Sequence, residues 1–272
     1  PMKEDLAIII IGQIRLKSKA QIDRWEQIKK DFQRYDIYIG TYKSYGATAR
    51  ELTPNIFLLD DQKINAAEYL KLPDTIIAND VNKNTGFSPV WQHILLRGVL
   101  EKYDKELGDY KNIVKARSDS EFNIEEVIKT LTEHPEKICA CTDFLFGSNS
   151  KLFKKMFLEN NFLSYIKKVW NKDENYISIN YKNLLKSFED GFMMQWGWLC
   201  FKNLNEDITK ENVIDLCQQN IENGADVNNF KTEDTNTKTK KSFNTAFSSE
   251  KQLLIYFLFF SSITRAHVRL VR

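Results

Sequence analysis

Six consecutive apolar residues, Leu6 to Ile11, stop at Gly12. An unbroken β-branched run of this kind belongs to a strand covered on both faces, so Ala7–Ile11 is expected to be a central strand of a parallel sheet. Apolar residues at 22, 25, 28 and 32 repeat with a helical period over Gln21–Tyr35, and Asp36–Gly40 follows as a second strand. Asn55–Asp60 supplies a third. Ser88 and Pro89 then combine a cap residue with proline at the first helical position, which predicts a long helix to about Lys102 with Val90, Ile94, Leu95 and Val99 facing inward. The pattern continues with a strand over Tyr110–Ala116, a helix over Ile124–Glu133, an extended stretch over Lys137–Phe146 and a helix over Asn149–Phe162. Strands alternating with helices predict an α/β fold, with a central, mostly parallel, Rossmann-like sheet flanked by helices in a single domain.

The second half is less regular. Tyr176–Cys200 is rich in aromatics, and about 226–243 is polar without periodicity, which reads as a mobile loop, either a lid or a disordered insertion. Ser248, Ser249 and Glu250 precede a last apolar helix over Leu253–Phe260, and a cationic tail follows. That helix is expected to pack into the core, with attachment to an anionic lipid surface as the alternative. Neither it nor Leu6–Ile11 approaches the ~20 apolar residues of a membrane span, and the first run lacks a small-residue cleavage region.

Composition narrows the function classes. The 272 residues carry 39 Lys and Arg against 37 Asp and Glu, a net charge of +2, which is far from the concentrated basic character of a nucleic-acid binder. Four cysteines, at 139, 141, 200 and 217, have neither zinc-site spacing nor disulfide-scaffold density, so a reducing cytoplasm is expected. Cys139 and Cys141 would share one face of a strand and lie in the core.

The chemistry concentrates where predicted strands end, because ligands gather at the carboxyl ends of strands in open α/β sheets. Past the strand ending at Ala116, Asp119 and Glu121 are two apart, so in an extended chain both carboxylates point the same way and suit a divalent cation held between protein and diphosphate. Arg117 has two readings: a bidentate partner of Asp119 or a clamp on phosphate. Gly12, Gln13 and Arg15 follow the first strand, where glycine permits close backbone approach and the other two are candidate nucleotide contacts. The full dinucleotide and P-loop signatures are missing. In the long helix, Trp91, Gln92 and His93 interrupt the apolar face, and the histidine reads as a core residue. Glu189 and Asp190 lie in the aromatic segment, where an acid can accept a proton from a sugar hydroxyl while Trp196 or Trp198 stacks on the ring, or can simply form an acidic turn. Glu250, in the first turn of the last helix, favours the helix dipole. No serine-histidine-acid arrangement is visible.

Four segments resemble the bacterial WavE-type family of lipopolysaccharide-synthesis proteins and, more broadly, the GT-A class of glycosyltransferases. They are Ile10 to Arg15, Pro89 to Gln92 running on through Tyr103, Lys115 to Asp119, and Phe247 to Leu254; Thr142 to Ser148 is similar to that family's middle segment. The resemblance implies a GT-A-like catalytic domain with a nucleotide-sugar-binding half over 1–122 and an acceptor-side half over 123–272. It implies transfer of a sugar from a nucleotide-sugar donor to a saccharide acceptor of a bacterial surface polysaccharide, in the cytoplasm or peripherally at the inner membrane face. Gly12, Gln13, Arg15, Gln92, Arg117 and Asp119 would then bind the donor, Asp119 with Glu121 would hold Mn²⁺ or Mg²⁺, and one of Glu189, Asp190 or Glu250 would act as base if the reaction inverts. The family's D-x-D-like element departs here to Asp119-Ser120-Glu121. Two other functions stay open: a sugar-nucleotide nucleotidyltransferase, which should show a glycine-rich basic loop near the first strand, and a non-catalytic glycan-binding or assembly protein.

Overall fold

A computed structural model describes residues 5–61, 69, 71, 90–119, 123–141, 144–159, 163–164, 207–208, 253, 256–257 and 268–270. Strand β1, Leu6–Ile11, is buried at every position. Both its edges are paired in parallel, with β2 (Asp36–Tyr42) on one side and β4 (Asn112–Ala116) on the other. Between these lie helix α1 (Lys19–Asp31), the short α2 (Gly46–Arg50), β3 (Ile56–Leu59), α3 (Val90–Lys102) and the one-turn α4 (Asp104–Leu107). After β4 come α5 (Ile124–Glu133), β5 (Ile138–Cys141), β6 (Leu145–Asn149), α6 (Ser150–Lys154) with a π-helical turn over Lys155–Glu159, β7 (Asp207–Ile208) and β8 (Val268–Leu270). All eight strands form one sheet in the order β3-β2-β1-β4-β6-β5-β8-β7.

The first four strands in that order are parallel, as the sequence predicts, but the sheet as a whole is mixed. Strand β6 runs antiparallel to both β4 and β5, and β7 antiparallel to β8. The stretch expected to be extended over Lys137–Phe146 is a hairpin: two apolar runs are interrupted by Thr142 and Asp143, and Cys141 pairs with Leu145 across the reversal. The helix expected over Asn149–Phe162 is α-helical only to Lys154, then π-helical.

Alternation along the strands divides the core into two layers. On one face Leu6, Ile8 and Ile10 of β1 meet Trp25, Ile28 and Phe32 of α1 and Val127 and Leu131 of α5. Cys139 joins this layer with Cys141 packed against it, the shared face read from their spacing. Against the other face lies α3, which crosses β1, β2 and β3. Its approach is close: a Cβ at Gly98 would come within 2.2 Å of the Phe57 ring on β3. Farther along this layer Phe146, Phe153 and Phe157 stack at 5.0–6.0 Å between ring centres. Leu253, Tyr256 and Phe257 of the last apolar segment are fully buried, and the Tyr256 hydroxyl donates to the Met156 carbonyl. These three residues therefore face core rather than a lipid surface.

Caps fix where the helices begin. Ser18 and Gln21 form a capping box, with the Gln21 amide donating to Ser18 Oγ at 3.3 Å and the Ser18 amide to Gln21 Oε1 at 3.3 Å, which starts α1 two residues before the apolar period does. Asn123 caps α5 by accepting from the amides of Glu125 and Glu126 at 3.1 and 3.3 Å. Among the described residues no helix is long and apolar enough to cross a membrane.

Candidate functional site

The chain runs from β1 to β2 and β3 on one side, then returns through α3 to β4 on the other side of β1. At such a reversal open α/β sheets bind ligands past the carboxyl ends of the strands, here β1 and β4. Three charged side chains expected from the sequence meet there.

The β1 loop is shaped by its backbone. Gly12 turns with φ of +107°, a conformation that side-chain-bearing residues rarely adopt, while its amide donates to the Gly40 carbonyl at 3.0 Å. Thr41, fully buried on β2, donates its hydroxyl to the Gly12 carbonyl at 2.7 Å, and Ile14 anchors the loop in the core. Ser118, just past β4, donates its hydroxyl to the Gln13 carbonyl at 2.8 Å. The two strand-end loops are thus tied to each other, and Arg15 and Asp119 emerge from the tied pair.

Asp119 is held by two guanidinium groups. Arg117 grips it in a fork, Nε to Oδ1 at 2.9 Å and Nη2 to Oδ2 at 2.9 Å, and Arg15 Nη1 reaches Oδ2 at 3.2 Å. The Asp119 side chain keeps 21% of its exposure, Arg117 25% and Arg15 47%, so the carboxylate sits inside and the second arginine at the rim. Burial by itself would raise the Asp119 pKa, but hydrogen bonding to Arg117, then the charges of Arg117 and Arg15, outweigh it and hold the group below its ordinary value of 3.8. Phe144, 42% exposed at the start of β6, lies under the Arg117 guanidinium with its ring centre 4.8 Å from Cζ.

Beneath this cluster a second polar group is sealed from solvent. Lys115 is fully buried on β4, donates to Gln92 Oε1 on α3 at 2.6 Å, and sits 5.1 Å above the Phe146 ring. Next to it His93 is buried, and desolvation, then the Lys115 charge, push its pKa well below 6.5, so it is neutral. Gln92, expected to contact nucleotide, is buried with its amide oxygen accepting from Lys115. His93 lies in the core, as its position predicts.

Gly12, Gln13, Arg15, Arg117 and Asp119 are therefore brought to one end of the sheet. Glu121, Glu189, Asp190, Glu250 and the loop over about 226–243 lie outside the described residues. Sequence reasoning missed Ser118, Thr41 and Phe144. Ser118 stood inside the quoted motif, but its partner Gln13 and the contacts of the other two depend on strand neighbours and register.

The geometry suits an anion better than a cation. Two guanidinium groups and one carboxylate leave an excess of positive charge, and arginine forks match phosphate oxygens. For a divalent cation Asp119 is already engaged, since both its oxygens accept from arginine, and the other expected ligand, Glu121, lies outside the described residues. A separate cleft of about 680 Å³, lined in part by Lys29, Asp36, Glu51 and Asn55, opens at the amino ends of β2 and β3, the opposite end of the sheet from Asp119. Comparison with protein-family models, with curated proteins and with solved structures returns no match.

Proposed function

We propose that this chain is a glycosyltransferase that binds a nucleotide-sugar donor with its diphosphate against Arg15 and Arg117, and passes the sugar to a saccharide acceptor of a bacterial surface polysaccharide. One observation carries the reading. Arg15, Arg117 and Asp119 converge at the topological switch point between β1 and β4, on loops tied together by Ser118 and Gln13. The four segments resembling WavE-type proteins support the donor class, and three of them lie at this end of the sheet or in the helix behind it.

In this reading the chain's own groups do three things. The tied loops position the diphosphate; the two guanidinium groups neutralise charge that grows on it as the glycosidic bond to the sugar breaks; the exposed Phe144 walls the site beside Arg117. A base is needed only for inversion, and Glu189, Asp190 and Glu250 are its candidates. Work in the cytoplasm or at the inner membrane face fits such a donor.

A thermal-shift panel of nucleotide sugars and free nucleotides, each with and without Mn²⁺ or Mg²⁺, tests the reading. A true donor at a hundredfold excess over its Kd should add about 2.7 kcal/mol of stability. Silence from every uridine, cytidine, guanosine and thymidine nucleotide would sink it.

A further inference from the structure

We infer that Asp119 is an arginine-positioning carboxylate rather than a metal ligand, and that Arg15 and Arg117 hold the diphosphate of the donor without a divalent cation. The inference deepens the donor reading above and rests on it.

A single carboxylate has a limited valence. Ionised, it offers about four lone-pair positions on two oxygens. Arg117 covers both oxygens with its fork and Arg15 adds a third charge-assisted bond. A cation that takes the one remaining position lies beside two positive charges, and one that needs both oxygens must displace a guanidinium group. A diphosphate meets the reverse situation, because it approaches the same two guanidinium groups with charge of the opposite sign.

The arginines also differ in how they are held, in a way that suits a clamp. Arg117 follows directly on the buried strand β4, is gripped through two bonds by Asp119, and is backed by the Phe144 ring. It is fixed before any ligand arrives, which lowers the ordering cost of binding. Arg15 is nearly half exposed and touches Asp119 through one nitrogen at 3.2 Å. It can turn to a phosphate oxygen while Arg117 keeps the carboxylate occupied. The bond from Ser118 to the Gln13 carbonyl sets the distance between the two loops that carry them. Asp119 in this arrangement sets the direction of the Arg117 fork and offsets part of the positive charge of the two arginines.

The two roles for Asp119 predict different responses to Asp119→Asn. A metal ligand that loses its charge loses the metal and, with it, the diphosphate. A positioning carboxylate that becomes an amide keeps one acceptor for the arginines, loses the other and removes a negative charge facing the diphosphate, so binding changes without acquiring a dependence on metal. Calorimetric titration of the full chain with inorganic pyrophosphate, then with UDP, CDP, GDP and TDP, each in EDTA and in Mn²⁺, separates the two. The result expected is binding in EDTA that Mn²⁺ does not strengthen, in the native chain and in Asp119→Asn alike, and weakening by about tenfold or more in Arg15→Gln and in Arg117→Gln, the scale of a lost charge-assisted bond. Arg117→Lys should fail to restore it, since an ammonium group cannot reproduce the fork. Titration with Mn²⁺ alone should show no uptake that Asp119→Asn removes.

Thermal melts of each variant establish that it folds, and Arg15, at the rim, provides a substitution that leaves the core untouched. Diphosphate binding that requires Mn²⁺ and disappears in Asp119→Asn would overturn the inference while the donor reading stands. Absence of binding by pyrophosphate and all four nucleoside diphosphates in both buffers would overturn the donor reading and the inference together.

Discussion

His93 and Asp119 show how one sheet end can depress two pKa values for opposite reasons. Asp119 is depressed because cations stabilise its charged form despite burial, whereas His93 is depressed because burial, then Lys115, destabilise its charged form. The pH consequence of His93 follows from proton counting. Below 6.5 the unfolded chain binds a proton at this residue that the folded chain refuses, so stability falls as pH drops below that value. The limiting slope for one proton is about 1.4 kcal/mol per pH unit. Urea melts between pH 8 and pH 5 should show this acid-side loss in the native chain and a shallower one in His93→Gln; equal slopes would mean that His93 protonates as freely folded as unfolded. Asp119 works in the other window, giving stability above its unfolded value of 3.8 that is lost as pH falls through its lower folded value. The cause of the buried pair was partly visible in the sequence. Lys115 interrupts the apolar end of β4, and Gln92 with His93 the apolar face of α3, yet that Lys115 and Gln92 answer each other could be read only after α3 and β4 were packed together.

At the scale of elements, the close seating of α3 on the sheet gives a prediction with an uncommon sign. Replacing a helix-interior glycine by alanine ordinarily stabilises by about 1 kcal/mol. Gly98→Ala should instead destabilise by about 1–3 kcal/mol, because the new Cβ would lie 2.2 Å from the Phe57 ring and force β3 or α3 to move. Shortening that ring in Phe57→Leu should recover part of the loss, and a double-mutant cycle measured by denaturant melts would reveal the coupling. Additive effects would show that the helix shifts freely. Elements themselves were well marked in the sequence where one force dominated: the unbroken run of β1 and the helical period of α1. They were poorly marked where tertiary packing decided, as in the π-helical turn after α6 and the reversal between β5 and β6. The candidate site divides the same way. Arg117 and Asp119 are neighbours in the chain and their pairing was one of two readings from spacing alone; Arg15 joins them only because β1 lies next to β4, a neighbour that chain order does not specify.

For the whole molecule, the sheet order makes the far half depend on a late strand. β8 lies between β5 and β7, with Cys139 opposite Arg269 and Asp207 opposite Arg269 on its other side. Charges reinforce the joint, since Lys137 reaches Asp207 at 2.6 Å and Arg269 approaches it at 3.5 Å. Proline at position 269 cannot contribute a ladder amide in a strand paired on both edges. Arg269→Pro should therefore lower hydrogen-exchange protection in β5 and β7 while β1 and β4 stay protected; uniform loss would mean that the sheet opens as one unit.

The pairing of Ile138 with Val268 also bears on how the protein is made. While the intervening chain is being synthesised, β5 has its hairpin partner β6 on one side and an open edge on the other. Contacts so distant in sequence form slowly, and an open apolar edge invites pairing with another nascent chain. Lys137 stands immediately before that edge, where a charge discourages such pairing until Asp207 and β8 arrive to cover it. A residue that ties β5 to β7 in the finished fold is thus also placed to guard the unfinished one.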